Sequence, residues 1–131
     1  MSWSGPEVQA QYTLGESLGD VVKIVGKANT IEENFTLRGF VQKQATSRSA
    51  KPLIAINMGA AGQLSRILNT TLTPVTHPAL SVAAAPGQLS VSQINGALHL
   101  TGQIPSKRFY LFGDPIGQSL PQPSTTQRSR L

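Results

Sequence analysis

The sequence predicts an α/β fold in which short strands alternate with helices, amounting to about three strand–helix units of a parallel (β/α)8 barrel. Three observations carry this. The β-branched run Val21–Val25 is followed, after a few polar residues, by a stretch with helical apolar spacing. The pattern returns at Leu53–Ile56 with Gly62–Leu68, and again near Leu72–Thr76 with a helix after Ser90. Strands separated by helices argue for parallel βα units. Such strands need cover on both faces, and three of them do not make a comfortable sheet by themselves. A complete barrel takes roughly 250 residues, whereas this chain has 131. The expectation is a partial TIM barrel with an extra C-terminal strand and a disordered tail.

Taken in order, Pro6–Leu18 reads as a helix with Val8, Tyr12 and Leu18 inward. The first strand, Asp20–Val25, feeds a helix from about Ile31 to Gln44. Thr30-x-x-Glu33 has the form of a capping box there, and Ile31, Phe35, Leu37, Phe40 and Val41 supply the apolar positions. The polar segment ATSRSAKP connects to a second strand, Leu53-Ile54-Ala55-Ile56, which Gly59 ends. Leu64, Ile67 and Leu68 mark the helix after it, and a third strand is expected near Leu72–Thr76. Ser90-x-x-Gln93 is another capping box, flanked by Leu89 and Ile94 as a hydrophobic staple. The helix it opens carries Ile94, Ala97 and Leu98 on one face. A linker, IPSKR, then leads to a short strand, FYLF, and a tail rich in proline and serine.

Composition narrows the function classes. Hydrophobic residues make up 39% of the chain, enough for one modest core. No apolar run approaches the roughly 18 residues that would span a membrane. The start, MSWSGPEVQAQ, lacks the basic and apolar segments of a signal peptide. There is no cysteine, which excludes disulfides and thiolate metal sites. A cytosolic location is expected. The formal charge of +5 invites a nucleic-acid reading, and so does the pI of 10.1. The cations are thinly spread, however, with Arg128 and Arg130 in the tail, and no aromatic residues interleave with a basic stripe. Neither nucleic acid nor membrane is expected as a partner.

Lys23 is the first candidate for chemistry, an ammonium group in the middle of VVKIV. On the inward face of a barrel strand a lysine is desolvated and loses basicity, and its free amine then attacks ketones to form an iminium. For an isolated VVKIV, a lysine at an exposed strand end is the favoured reading. Arg66 lies one loop after the second strand, in NMGAAGQLSRI. The turn Gly59-x-x-Gly62 lacks the lysine and threonine of a phosphate loop, so Arg66 holding a carboxylate in bidentate fashion is the sharper reading; a surface arginine is the plainer one. In AAAPGQLS, Gln88 follows a Pro-Gly turn at what would be the C-terminal end of a strand, where barrel active sites lie. His77 and His99 have no metal-ligand spacing and read as structural.

A strand VKIV with a central lysine, then PLIAINMG, LSR and APGQLS in that order, resembles the C-terminal half of type I 3-dehydroquinate dehydratase, as in the fungal pentafunctional AROM polypeptides. The resemblance runs from about Trp3 to Gly102. It implies that Lys23 forms a Schiff base with the C3 ketone of 3-dehydroquinate on the way to 3-dehydroshikimate. It also implies that Arg66 and Gln88 bind the substrate carboxylate region and that Met58 lines the pocket. Ala84 stands where the family often carries a serine. The family's general-base histidine would fall upstream of Met1, and neither His77 nor His99 matches it. No cofactor or metal is implied.

The same resemblance divides the chain into a dehydratase segment at 1–103, a linker at 104–108 and the start of a shikimate dehydrogenase at 109–120. FYLFGDPIGQSL fits that dehydrogenase opening, with Ser119 as its first motif serine. The expected S-P-x-x-H-N then fails in PQPSTTQRSRL, residues 121–131. With permissive codons, a shift of one nucleotide converts this segment to SPTLHNTAFK, so an out-of-frame, disordered tail is expected. The chain thus reads as a fragment of an AROM-type polypeptide, inactive alone, with self-association or pairing with the missing barrel half expected. The alternative is a non-catalytic regulatory remnant related to the fungal quinate-pathway repressors.

Overall fold

In the computed structural model, residues 2–46, 51–82, 84–108, 110 and 112 are described. Helix α1 (Pro6–Leu18) starts on a proline, whose fixed φ suits a first turn and whose missing N–H would be unpaired there anyway. It ends where the Gly19 amide donates to the Gly15 carbonyl. Its last turn is closed by Lys51, whose Nζ donates to the main-chain oxygens of Glu16 at 2.6 Å and Gly19 at 2.7 Å. A cation at this end complements the helix dipole. Val8 and Tyr12 point inward as expected, but Leu18 is 79% exposed, in a depression beside the uncovered edge of the first strand.

Strands β1 (Val22–Lys27) and β2 (Leu53–Met58) pair in parallel, from Val22 opposite Leu53 to Lys27 opposite Met58. The βα units expected from the sequence are therefore formed for these two strands. Alternation along the strands separates two faces. Val22 and Ile24 join Leu53 and Ala55 in a core with Trp3, Val8, Tyr12, Leu37 and Phe40. Phe40 organises the aromatic part, with ring centroids 5.7 Å from Trp3 and 6.0 Å, edge-on, from Tyr12. Each buried side chain of this size stabilises the fold by about 1.5–3 kcal/mol. The other face carries Lys23, Val25 and Lys27, whose register partners are Ile54, Ile56 and Met58.

Helix α2 (Glu33–Ala45) covers the first face through Leu37 and Phe40, with Val41 packed against the core. Ile31 and Phe35, expected on its apolar side, are 55% and 59% exposed. Its start also departs from the expected box. The Glu33 carboxylate takes the N–H of Asn29 at 2.6 Å, and no side chain caps the helix at its N-cap residue, Glu32.

After β2 the chain makes a short 3-10 turn (Ala60–Gly62) and helix α3 (Gln63–Leu68). The third expected strand does not form. Leu72 has φ of +42°, Pro74 lacks an amide donor, and only Thr76 pairs, in one parallel bridge with Ser90. Helix α4 (Val91–Leu100) opens with the predicted reciprocal box. The Ser90 amide donates to Gln93 Oε1 at 2.8 Å, and the Gln93 amide donates to Ser90 Oγ at 3.2 Å. The face expected to pack, Ile94, Ala97 and Leu98, is half-buried. Tyr110 and Phe112 are exposed, stack at 6.4 Å and belong to no strand. The remainder of the FYLF strand, Ser119 and the tail at 121–131 lie outside the described residues.

Candidate active site

The exposed face of β1 carries the lysine. Lys23 is exposed, in a shallow depression of about 580 Å3 that runs along the free edge of β1 beside Gln11 and Gly15. The burial expected of a barrel lysine is not reached, because among the described residues no strand pairs with that edge. Lys23 stands opposite Ile54, four register positions below Met58, a drop of roughly 13 Å at the usual strand rise. It would approach a ligand from the floor of the sheet, while Met58 sits at the rim.

The rim is assembled by two interlocked loops. Gly59 follows Met58 with φ of +87°, a conformation that favours glycine. Its amide donates to the Pro86 carbonyl at 3.0 Å. Gly87, at φ of +74°, lies so close that a Cβ there would collide with the Gly59 carbonyl. This backbone junction places the Gln88 loop against the end of β2. Gln88 is half-buried, and its Oε1 has no hydrogen-bond partner.

Arg66 lies in the last turn of α3 and is only 1% exposed. Its Nε and Nη2, the two nitrogens along one edge of the guanidinium, are buried without partners. Burial also depresses its pKa from the usual arginine value. An arginine buried with an idle fork is costly unless a ligand supplies the acceptors. A carboxylate matches the spacing of that edge with two parallel hydrogen bonds.

Behind the rim, on the helix side, is a polar network that sequence reasoning missed. Asn57 Oδ1 accepts from Trp3 Nε1 at 2.8 Å, and its Nδ2 donates to Asn34 Oδ1 at 3.3 Å. Asn34 Nδ2 donates to the carbonyls of Ile31 at 2.8 Å and Ala61 at 2.7 Å. The Asn57 amide donates to Ser65 Oγ at 2.8 Å, and that hydroxyl donates to the Gly62 carbonyl at 2.7 Å. A Cβ on Gly26 would lie 2.8 Å from Asn57 Oδ1, so glycine at that point of β1 makes room for the Trp3 bond. The available signal was one amide side chain in the apolar run LIAINM, since a buried polar group must find partners.

A concavity of about 1200 Å3 on the outer helix side, between α1 and α2, includes none of Lys23, Met58, Arg66 or Gln88. His77 and His99 are engaged locally. The Ala79 amide donates to His77 Nδ1 at 3.1 Å, and His99 Nδ1 lies 3.3 Å from the Ile104 carbonyl oxygen. Among the described residues no helix is long and apolar enough to cross a membrane.

The family profile "Type I 3-dehydroquinase" matches residues 2–105. Over 119 residues the chain is 51% identical to the pentafunctional AROM polypeptide of Malassezia globosa, covering 91% of this chain. The corresponding polypeptide of Schizosaccharomyces japonicus is 54% identical over 119 residues, 90% of this chain. The chain spans only 7% of the length of either relative. A solved structure described as dehydroquinate dehydratase and shikimate dehydrogenase from S. pombe AroM superposes with a TM-score of 0.77 at 48% identity, covering 90% of this chain and 22% of that one. The parallel βα arrangement is therefore that of a partial dehydroquinase barrel. With a profile spanning most of its length and relatives near half identity, the chain belongs to the type I 3-dehydroquinase family.

Proposed function

We propose that this chain is the lysine-bearing segment of a 3-dehydroquinate dehydratase and that it recognises 3-dehydroquinate through Arg66, Gln88 and Lys23. The observation that carries the proposal is the buried, unpartnered fork of Arg66. The substrate carboxylate would occupy Nε and Nη2, the free Oε1 of Gln88 would accept from a substrate hydroxyl beside it, and Met58 would line the pocket. The Lys23 amine would add to the C3 ketone and, with loss of water, form an iminium. That iminium is the electron sink for removal of the C2 proton. Expulsion of the C1 hydroxyl as water and hydrolysis of the iminium would then release 3-dehydroshikimate and free lysine.

Removal of the C2 proton requires a base, and neither His77 nor His99 corresponds to the family's histidine. General acid–base catalysis contributes about 10²–10⁴-fold. We therefore propose that the 131-residue chain by itself forms the adduct without turning over. The free edge of β1 and its exposed face favour self-association or docking of the remaining barrel strands. The test incubates the purified chain with 3-dehydroquinate and borohydride, maps the modified lysine by mass spectrometry and follows enone absorbance, with sedimentation velocity on the same sample. Expected are a reduced adduct at Lys23 that Lys23→Ala abolishes, no absorbance change, and oligomers. Absence of the adduct would overturn the site. Turnover lost in Lys23→Ala would overturn the need for an external base, and a monodisperse monomer would overturn the proposal for the β1 edge.

A further inference from the structure

Arg66 and Ser65 are sequence neighbours with opposite fates. Both are buried, at 1% and 2% exposure. The Ser65 hydroxyl both accepts and donates, from the Asn57 amide at 2.8 Å and to the Gly62 carbonyl at 2.7 Å. The Arg66 fork makes no bond at all. A guanidinium carries five donors and ordinarily captures any carbonyl within reach. To remain available for a ligand, the fork must be held by something other than its own hydrogen bonds.

Helix α3 cannot supply that constraint alone. It has six residues, and isolated helices shorter than roughly 12 residues are marginal in water. Its N-cap position, Gly62, offers no side-chain cap. What fixes the helix is its attachment to the end of β2. A Cβ on Gly62 would lie 2.6 Å from the Asn57 carbonyl oxygen, so the helix start is pressed directly on the strand. Ser65 joins the same strand residue from the other side, through the Asn57 amide. Asn57 is in turn held by Trp3 from the N-terminal segment and by Asn34 from α2, while Asn34 also grips the Ala61 carbonyl just before α3.

We propose that Ser65 is a positioning residue. Its two hydrogen bonds, from the Asn57 amide and to the Gly62 carbonyl, set the depth and rotation of α3 so that the Arg66 fork stays both buried and vacant. Precision in carboxylate binding then comes from the backbone of α3 rather than from partners on the arginine. The inference rests on the proposed substrate reading of Arg66, but it concerns how the fork is held and has its own readout.

The experiment compares Ser65→Ala with Ser65→Thr, which keeps the hydroxyl, and with Trp3→Phe, which removes a hydrogen bond from the far side of the network. The first readout is the Nε–H resonance of Arg66 by nitrogen relaxation in the full chain without ligand. The second is the dissociation constant for 3-dehydroquinate in a Lys23→Ala background, where no covalent step intervenes. The expected result is an Nε–H as rigid as the backbone in wild type, Ser65→Thr and Trp3→Phe, and mobile in Ser65→Ala. Affinity should fall at least about tenfold in Ser65→Ala alone, the order expected when a charge-assisted hydrogen bond is weakened. A rigid Nε–H in Ser65→Ala overturns the inference, as does equal loosening by Trp3→Phe, which would mark a merely structural network. If the wild type binds no 3-dehydroquinate, the substrate reading fails, and the relaxation comparison alone decides whether Ser65 positions the fork.

Discussion

β1 and β2 have the same length and run side by side in one register, yet they live in different surroundings. Five of the six residues of β2 are buried, whereas β1 alternates buried and exposed from end to end. Val25 is 38% exposed and its register partner Ile56 only 3%. The difference does not follow β-propensity, since β1, with three β-branched residues against two in β2, is the less buried strand. It comes from cover. Among the described residues each strand has one unpaired edge, but α2, the 3-10 turn and α3 all lie against β2, while β1 has α1 against one face and leaves open the other, where its lysine stands. β2 is the more deeply buried strand, and the amine of the proposed chemistry stands on its more exposed neighbour, although both strands give two side chains to the core.

The most severe way to break this contrast is to open the polar network behind β2. Asn57→Ala strands Trp3 Nε1 and Asn34 Oδ1 in a buried space, at about 1–3 kcal/mol for each unsatisfied group. Urea unfolding should show a loss of about 3 kcal/mol or failure to fold; a loss below about 1 kcal/mol would mean that water enters and the network is not dry. A matched pair sharpens the comparison. Ile56→Thr buries a hydroxyl and should cost about 2 kcal/mol, while Val25→Thr on the open face should stay within about 0.5 kcal/mol. Equal effects by thermal melting would show that β1 is covered in solution, for instance by a second copy. The smallest expected change is Lys23→Ala, within about 0.5 kcal/mol in the same melts; a large loss would assign the lysine a structural contact.

Much of this was legible in the chain. The bounds of α1, the reciprocal box at Ser90 and Gln93, and the parallel β1–β2 pair follow from local chemistry: a proline start, a hydroxyl and an amide three residues apart, and β-branched runs separated by a helix. What failed depended on neighbours. Leu72–Thr76 has strand-like composition, but pairing needs a donor at Pro74 and an extended Leu72, and it has neither. Ile31 and Phe35 fit a helical stripe, yet they are exposed, and it is Leu37 and Phe40 that reach the core, with Val41 packed against it. Of the proposed site, Lys23, Arg66 and Gln88 were singled out from sequence, and Met58 through the family resemblance. The idle fork of Arg66 was not, because lack of a partner is a property of three-dimensional surroundings. Asn57 and Ser65 were passed over for the same reason, since each contacts segments that are remote in sequence or hidden inside a helix turn.

The junction between Gly59 and Gly87 has a consequence for how such a site can be altered. With the Gly59 amide committed to Pro86 and no room for a Cβ at position 87, the loop after β2 and the loop before α4 form a single mechanical part. Lengthening one of them shifts the other, so an insertion between Met58 and Gly62 would misplace Gln88 although Gln88 is about thirty residues further along the chain. Compensation would require a paired change in both loops. The approach to the sheet from this rim can therefore be reshaped by exchanging the two loops together, but hardly by altering either one.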